Sequence, residues 1–237
     1  SGETIDFGPC AFMDEFHPGM VFSSIDRTGR YAYGNQPRIA SWNLARLAES
    51  LMPLLGADEH ASRKAAQDAL GLFGAHYERA HLEAMSAKLG LVDAREGDSE
   101  LVQSLLGLMA DTSADFTNTF RALAAVAEDP SNPAAFRAQF GSHRGVEDWL
   151  GRFRVRLAAE AGSANERAAG MRAVSPAYIP RNHQVEAAIQ AGLAGDFGPF
   201  GALCDVLASP FEERPGLERY AAPPQEHERV RQTFCGT

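Results

Sequence analysis

From Pro37 onward the apolar residues of this chain recur every three or four positions, the period of helices that each bury one face. Pro37 suits a first helical turn, where its missing N–H goes unused. Behind it Ile39, Trp42, Leu44, Leu47, Leu51 and Leu55 share helical spacing, and Pro53 is expected to kink or end the helix. A second, longer helix is expected from about Glu59 to Leu89, with Phe73, Tyr77 and Met85 on one stripe. After a polar break at Arg95–Asp98, Leu101, Leu105, Leu108 and Met109 mark a third. Thr112-Ser113-Ala114-Asp115 resembles a capping box opening a fourth, which runs through Phe116, Phe120, Leu123 and Ala127 and stops at Asp129-Pro130. Further helices are expected at about 133–140, 144–160, 163–172, 184–194 and 197–208. Trp42 and Trp149 are expected as core anchors. Between two of these helices lies a Pro-bracketed loop, Ser175 to His183, in which Asn182 or His183 is expected near a helix cap.

Residues 1 to about 35 follow another rule. They hold most of the Gly, Pro and aromatic punctuation, with turns expected at His17-Pro18-Gly19 and Thr28-Gly29-Arg30. Val21–Ile25 and Arg30–Tyr33 read as short extended pieces. Asp14 and Asp26 read as loop carboxylates making turn hydrogen bonds, with shaping the segment or touching substrate as the alternative reading. Arg30 and Arg46 are candidates to tie this segment to the helices, with exposed ion pairs as the simpler reading. The pattern as a whole is mainly α: one helical domain behind an irregular N-terminal segment.

Composition narrows the function classes. The 237 residues are 45% hydrophobic and 22% charged, ordinary for a soluble globular protein. A net charge of −9 argues against non-specific nucleic-acid binding and against anionic membranes. No apolar run reaches the ~20 residues of a membrane span, and no charged-then-apolar leader is expected. Cys10, Cys204 and Cys235 form no CxxC and no metal-ligand spacing, which fits a reducing compartment. His76 and His81 are five apart, so they point to different sides of a helix and are not expected to share a metal.

One short stretch carries candidate chemistry. In Glu3-Thr4-Ile5-Asp6-Phe7-Gly8-Pro9 a β-branched and apolar run leads an aspartate into a Phe-Gly turn, a way of presenting a carboxylate to a metal ion. Protein kinases hold the metal on their nucleotide phosphates with an Asp-Phe-Gly of this kind. Alone, such a tripeptide is most often an ordinary turn.

Longer blocks make the pattern specific. Ile5 to Asp14 is followed by Gly29-Arg30-Tyr31-Ala32-Tyr33-Gly34-Asn35-Gln36-Pro37 and by Ile39-Ala40-Ser41-Trp42-Asn43-Leu44-Ala45-Arg46-Leu47-Ala48. Asp115 to Leu123, Pro180-Arg181-Asn182-His183 and Phe234-Cys235-Gly236-Thr237 complete the series. Together they resemble the C-terminal half of the selenoprotein O (SelO, or YdiU) family. The resemblance implies a kinase-like C-lobe in a protein adenylyltransferase, which transfers AMP from ATP to Ser, Thr or Tyr hydroxyls of protein substrates. It implies Asp6 as a ligand of Mg²⁺ or Mn²⁺ and so part of the ATP site, with no catalytic residue within this stretch. Residues 1–36 then hold the metal motif and activation-type segment, and 37–237 the helical C-lobe with its C-terminal extension, as one structural unit. Partners would be ATP and proteins, with neither nucleic acid nor membrane; the setting would be the cytoplasm in a bacterium, or a mitochondrion in a eukaryote.

The family's nucleotide-binding lobe and its catalytic Asp-Asn pair belong to sequence upstream of these 237 residues. The resemblance therefore implies that the isolated chain neither transfers AMP nor holds ATP well. Many relatives pair a cysteine of the activation segment with a near-C-terminal one. Cys235 fits the second position, but Phe22 stands where the first is expected, leaving Cys10 as the thiol of that segment. A Cys10–Cys235 bridge and two free thiols both stand as readings, the former requiring Cα atoms within ~7 Å. The rival class is a helical scaffold or protein-docking module without chemistry of its own.

Overall fold

The computed structural model describes residues 11–233; Asp6, Cys10 and Cys235 lie outside them. The described residues are mainly helical, as the periodicity predicts, and pair as strands only at one isolated antiparallel bridge, Glu15 with Asp115. The expected extended pieces at Val21–Ile25 and Arg30–Tyr33 are turns and bends instead, leading into a 3-10 turn at Tyr33–Asn35. Asp26 organises them: its carboxylate accepts from the N–H groups of Arg30 (2.7 Å) and Tyr31 (2.8 Å). That is the turn role expected of it.

The core is built by α3 (Phe73–Lys88), α4 (Asp98–Thr112), α5 (Phe116–Glu128), α7 (Gly145–Ala158) and α8 (Ala164–Val174), with the short α6 (Ala134–Ala138) beside α5. α5 packs on α8 and α6, while α4 packs on α7 and α3. Phe120, Leu123 and Ala124 of α5 lie at the centre with Leu105 and Met109 of α4. Trp149 is the anchor its spacing predicts: its ring stacks between Phe136 (5.5 Å) and Phe153 (5.1 Å), and its Nε1–H donates to the Leu101 carbonyl at 3.0 Å. A smaller apolar cluster, with Tyr178, Leu203, Val206 and Tyr220, joins the Pro-bracketed loop to α10 (Gly198–Leu207) and α11 (Glu218–Ala221).

A buried charged network locks α4 to α7. Arg156 bonds Asp98 at 2.6 Å and Glu160 at 2.5 Å, and both carboxylates are almost fully enclosed. The Arg156 hydrogen bond holds Asp98 below the usual carboxylate range. Burial works against the charge on Glu160, yet bonds from the Val92 N–H, Arg156 and the Asp93 N–H outweigh it and hold Glu160 low as well. At the α3–α8 junction Gly90 is left-handed (φ 72°), and a Cβ there would meet Met171 and Arg167 at 2.8 Å. Only glycine fits that approach.

Three further expectations are corrected. The long helix at 59–89 is two, α2 (Glu59–Gly71) and α3, separated at Leu72. The capping box at 112–115 is divided between two helix ends. Ser113 closes α4 in the left-handed region (φ 53°), and Asp115 alone caps α5 by accepting from the Asn118 N–H at 2.8 Å. Trp42 is not a core anchor: on α1 (Gln36–Leu55) it is 47% exposed, packed face-on by the guanidinium groups of Arg30 (4.6 Å) and Arg46 (5.3 Å). Arg30 thus ties the N-terminal segment to α1 through a ring, and Arg46 also pairs with exposed Glu49. Pro53 lies inside α1, two residues before its end, where its ring leaves the Glu49 carbonyl without an N–H partner.

Candidate active-site cleft

The segment that follows the Asp6-Phe7-Gly8 stretch is the first thing the helical core takes hold of. Met13 and Phe16 are buried, and Phe16 stacks on Phe116 (5.8 Å) and meets Tyr33 edge-on (5.5 Å). Between them the backbone is stitched to the α4–α5 turn: the Phe116 N–H donates to the Asp14 carbonyl at 2.7 Å, and the Phe16 N–H to Ala114 at 2.9 Å. With Met13 and Phe16 turned inward, Asp14 and Glu15 are left on the wall of a 710 Å³ cleft. Ala11 and Phe12 line the same wall, and Asp115, His183 and the tail residues Arg229 and Thr233 line other parts of it.

Arg181 holds that wall. Its side chain is fully enclosed, bonding Asp14 by a short contact and Asp115 at 2.7 Å, and donating to the Ala221 carbonyl at 2.8 Å. It stands at the N-terminal cap position of α9 (Asn182–Leu193), so Asn182 and His183 begin that helix as expected. The role expected of Asp14 is corrected here: it makes a buried ion pair across the molecule rather than a local turn bond. One cation serves two carboxylates, so the cluster carries excess negative charge. Burial opposes the charge on Arg181, but Asp115 and Asp14 more than offset it and keep the guanidinium firmly protonated. The excess shows on Asp14, whose carboxyl burial pushes above its usual range, with Arg181 opposing but not cancelling the shift.

His183 stands on the same wall, 9% exposed, with Nε2 3.1 Å from the Gln184 amide and Nδ1 enclosed without a hydrogen-bond partner. Burial pushes its imidazole below 6.5, against the pull of the Asp14 charge, so the ring is neutral near pH 7. The wall thus sets an uncharged imidazole near the Arg181–Asp14 ion pair, a group suited to hydrogen bonding with a bound hydroxyl or amide.

The chain's tail closes the cleft from the other side. Arg229 pairs with Glu15 and with Glu226 (3.0 Å). Thr233 accepts from the Ser24 N–H at 2.8 Å, and its own hydroxyl donates to the Phe22 carbonyl at 3.1 Å. Residues 22–24 and the tail are therefore neighbours. Cys10 and Cys235, the candidate thiols, lie outside the described residues.

Among the described residues no group of three or more His, Cys, Asp or Glu side chains is placed to hold a metal. The cleft's carboxylates are instead committed to arginines, Asp14 and Asp115 to Arg181 and Glu15 to Arg229. His76 and His81 lie on α3, His76 exposed and His81 stacked on Tyr77 at 5.8 Å. The sequence places Arg181 in a helix-entry loop but does not reveal its ion pairs. Its partners stand 167 and 66 positions away, and no local spacing announces them.

Comparison with known proteins defines the class. The family described as protein adenylyltransferase SelO matches residues 1–208, and this chain belongs to that family. Among curated relatives, the protein nucleotidyltransferase YdiU of Rhodopseudomonas palustris (strain BisB5) is 54% identical over 238 residues, covering 100% of this chain and 48% of the relative. Its namesakes in Bradyrhizobium diazoefficiens and Agrobacterium fabrum are 52% and 51% identical over the same share. The chain thus spans about half the length of the curated relatives it matches.

Proposed function

We propose that this chain is the C-terminal part of a protein adenylyltransferase. The whole protein transfers AMP from ATP to Ser, Thr or Tyr hydroxyls of protein substrates, and it works in the cytoplasm. The observation that carries this reading is the anchoring of Ala11–Glu15. The residues leaving the Asp6-Phe7-Gly8 motif form a wall of the 710 Å³ cleft, and buried Arg181 fixes that wall through Asp14. The helical half thereby holds Ala11–Glu15 in place, and residues 1–36 act as the activation-type segment.

In the reaction the acceptor oxygen bonds to the α-phosphorus of ATP as the bond to pyrophosphate breaks. Asp6 is the residue of this chain that would hold a divalent ion, Mg²⁺ or Mn²⁺. When bound, such an ion neutralises charge developing on the α-phosphate and on the departing pyrophosphate. The base that takes the hydroxyl proton and the nucleotide cradle belong to the other half of the protein. Within this chain the cleft presents the acceptor: Arg181 and Asp14 keep its wall in place, and His183 offers an uncharged hydrogen-bonding group beside it.

The test uses full-length protein with ATP labelled at the α or the γ position. Label reaching protein from the α position only, lost on Asp6→Ala and absent for the isolated 237-residue chain, is the expected outcome. Label from the γ position, or unchanged transfer by the Asp6→Ala protein, overturns the assignment. The rival reading, a helical docking module, draws on the exposed leucines of α1.

A further inference from the structure

α1 runs for 20 residues and buries one of them, Ile39. Leu44, Leu47, Leu51, Leu54 and Leu55 fall at spacings of three and four, so they line one stripe of the helix. All five are exposed, from 36% at Leu51 to 81% at Leu54. Half-buried Ser41, Ala45, Ala48 and Met52 lie on another side of α1. α1 packs chiefly on α2, whose own buried residues, Ser62 and Ala66, are also small. The hairpin therefore closes mainly through small side chains, with Met52, and leaves the leucine stripe uncovered. A continuous stripe of leucines on a surface helix marks an interaction face rather than scattered exposure.

Two further observations say what covers it. About half the length of each curated relative lies outside the match to this chain, as much sequence again as is present here. A second apolar surface opens at the foot of the same helix: a 930 Å³ cleft lined by Phe16, Tyr33, Pro37, Tyr77, Leu82 and Leu106. We infer that the leucine stripe of α1 is the seat of the other half of the full-length polypeptide, which lays an apolar surface along Leu44, Leu47, Leu51 and Leu54. The inference rests on the reading of this chain as part of a longer adenylyltransferase. It adds that α1 is the joint between the halves, and that the stripe is internal in the working protein.

Thiol accessibility tests it. Leu47→Cys is introduced into the full-length protein and into the 237-residue chain, both are treated with N-ethylmaleimide, and modification at position 47 is read by peptide mass spectrometry. The expected result is rapid modification in the 237-residue chain and at least ~10-fold slower modification in full-length monomer, a margin of about 1.4 kcal/mol in the opening equilibrium. Equal rates in the two overturn the inference. So does protection that follows protein concentration, which assigns the stripe to a second copy. Leu51→Cys repeats the test should the first variant not fold. AMP transfer is assayed on the same full-length samples, so a failed joint with intact transfer is distinct from a protected joint without transfer.

Discussion

The thirteen-residue helix α5 buries seven of its side chains, whereas the twenty-residue α1 buries one. Both carry a helical apolar stripe, Phe116, Phe120, Leu123 and Ala127 in one case and Leu44, Leu47, Leu51 and Leu55 in the other. α5 meets α8 on one side and α6 on another, and its stripe disappears into the core. α1 meets little besides α2 and the turn before it. Periodicity thus reports that a helix has an apolar face, and says nothing of whether the partner for that face is in the same stretch of chain. The core of α3–α8 covers its own apolar faces. The α1–α2 hairpin is built for something else to lie on it.

The contrast extends to charge. Around the core, ionised groups are enclosed and answered by partners, while α1 and α2 carry exposed pairs such as Arg63–Glu59 and Lys64–Asp68, worth little individually. The largest expected effect in the chain follows from that difference. Arg181→Leu removes the one cation shared by Asp14 and Asp115, and breaking such a buried pair costs about 3–5 kcal/mol. Denaturant unfolding measures it, and adding Asp14→Asn should recover part of the loss by removing one of the stranded carboxylates. A loss below about 1 kcal/mol would place the Arg181 cluster with the exposed pairs and undo the contrast.

A smaller effect is expected at the Arg156 network, with a signature in pH. Asp98 and Glu160 are held below their ordinary values of 3.8 and 4.5. Their contribution to stability is therefore complete above that range and is lost as pH falls through their lower values in the folded protein. Arg156→Met should cost about 1.5–3 kcal/mol at pH 7 and flatten the acid side of the stability profile. An acid limb as steep as that of the unsubstituted protein would mean the network does not set it.

What could be read beforehand divides along the same line. Helix positions were legible because each depends on local periodicity and punctuation, and most ends fall within a few residues of where Pro, Gly and polar runs place them. The split at Leu72 lies between Gly71 and Gly74, a weak break that the continuous apolar stripe through Phe73, Tyr77 and Met85 hides. Trp42 was misjudged because a large aromatic on an apolar-looking helix reads as core, and two arginines at its faces are invisible in a linear pattern. Asp14 and Arg181 escaped for a plainer reason. Their pairing spans 167 positions and depends on the α4–α5 turn at Ser113, whose left-handed backbone no residue-level rule requires of a serine. The family was legible, through ordered blocks rather than through the Asp-Phe-Gly tripeptide.

Amide hydrogen exchange, read helix by helix on the 237-residue chain and on the full-length protein, tests the difference between the two regions most directly. α5 is expected to be strongly protected in both, whereas α1 is expected to exchange fast in the isolated chain and to slow by orders of magnitude in the full-length protein. Equal protection of α1 in the two proteins would contradict that expectation.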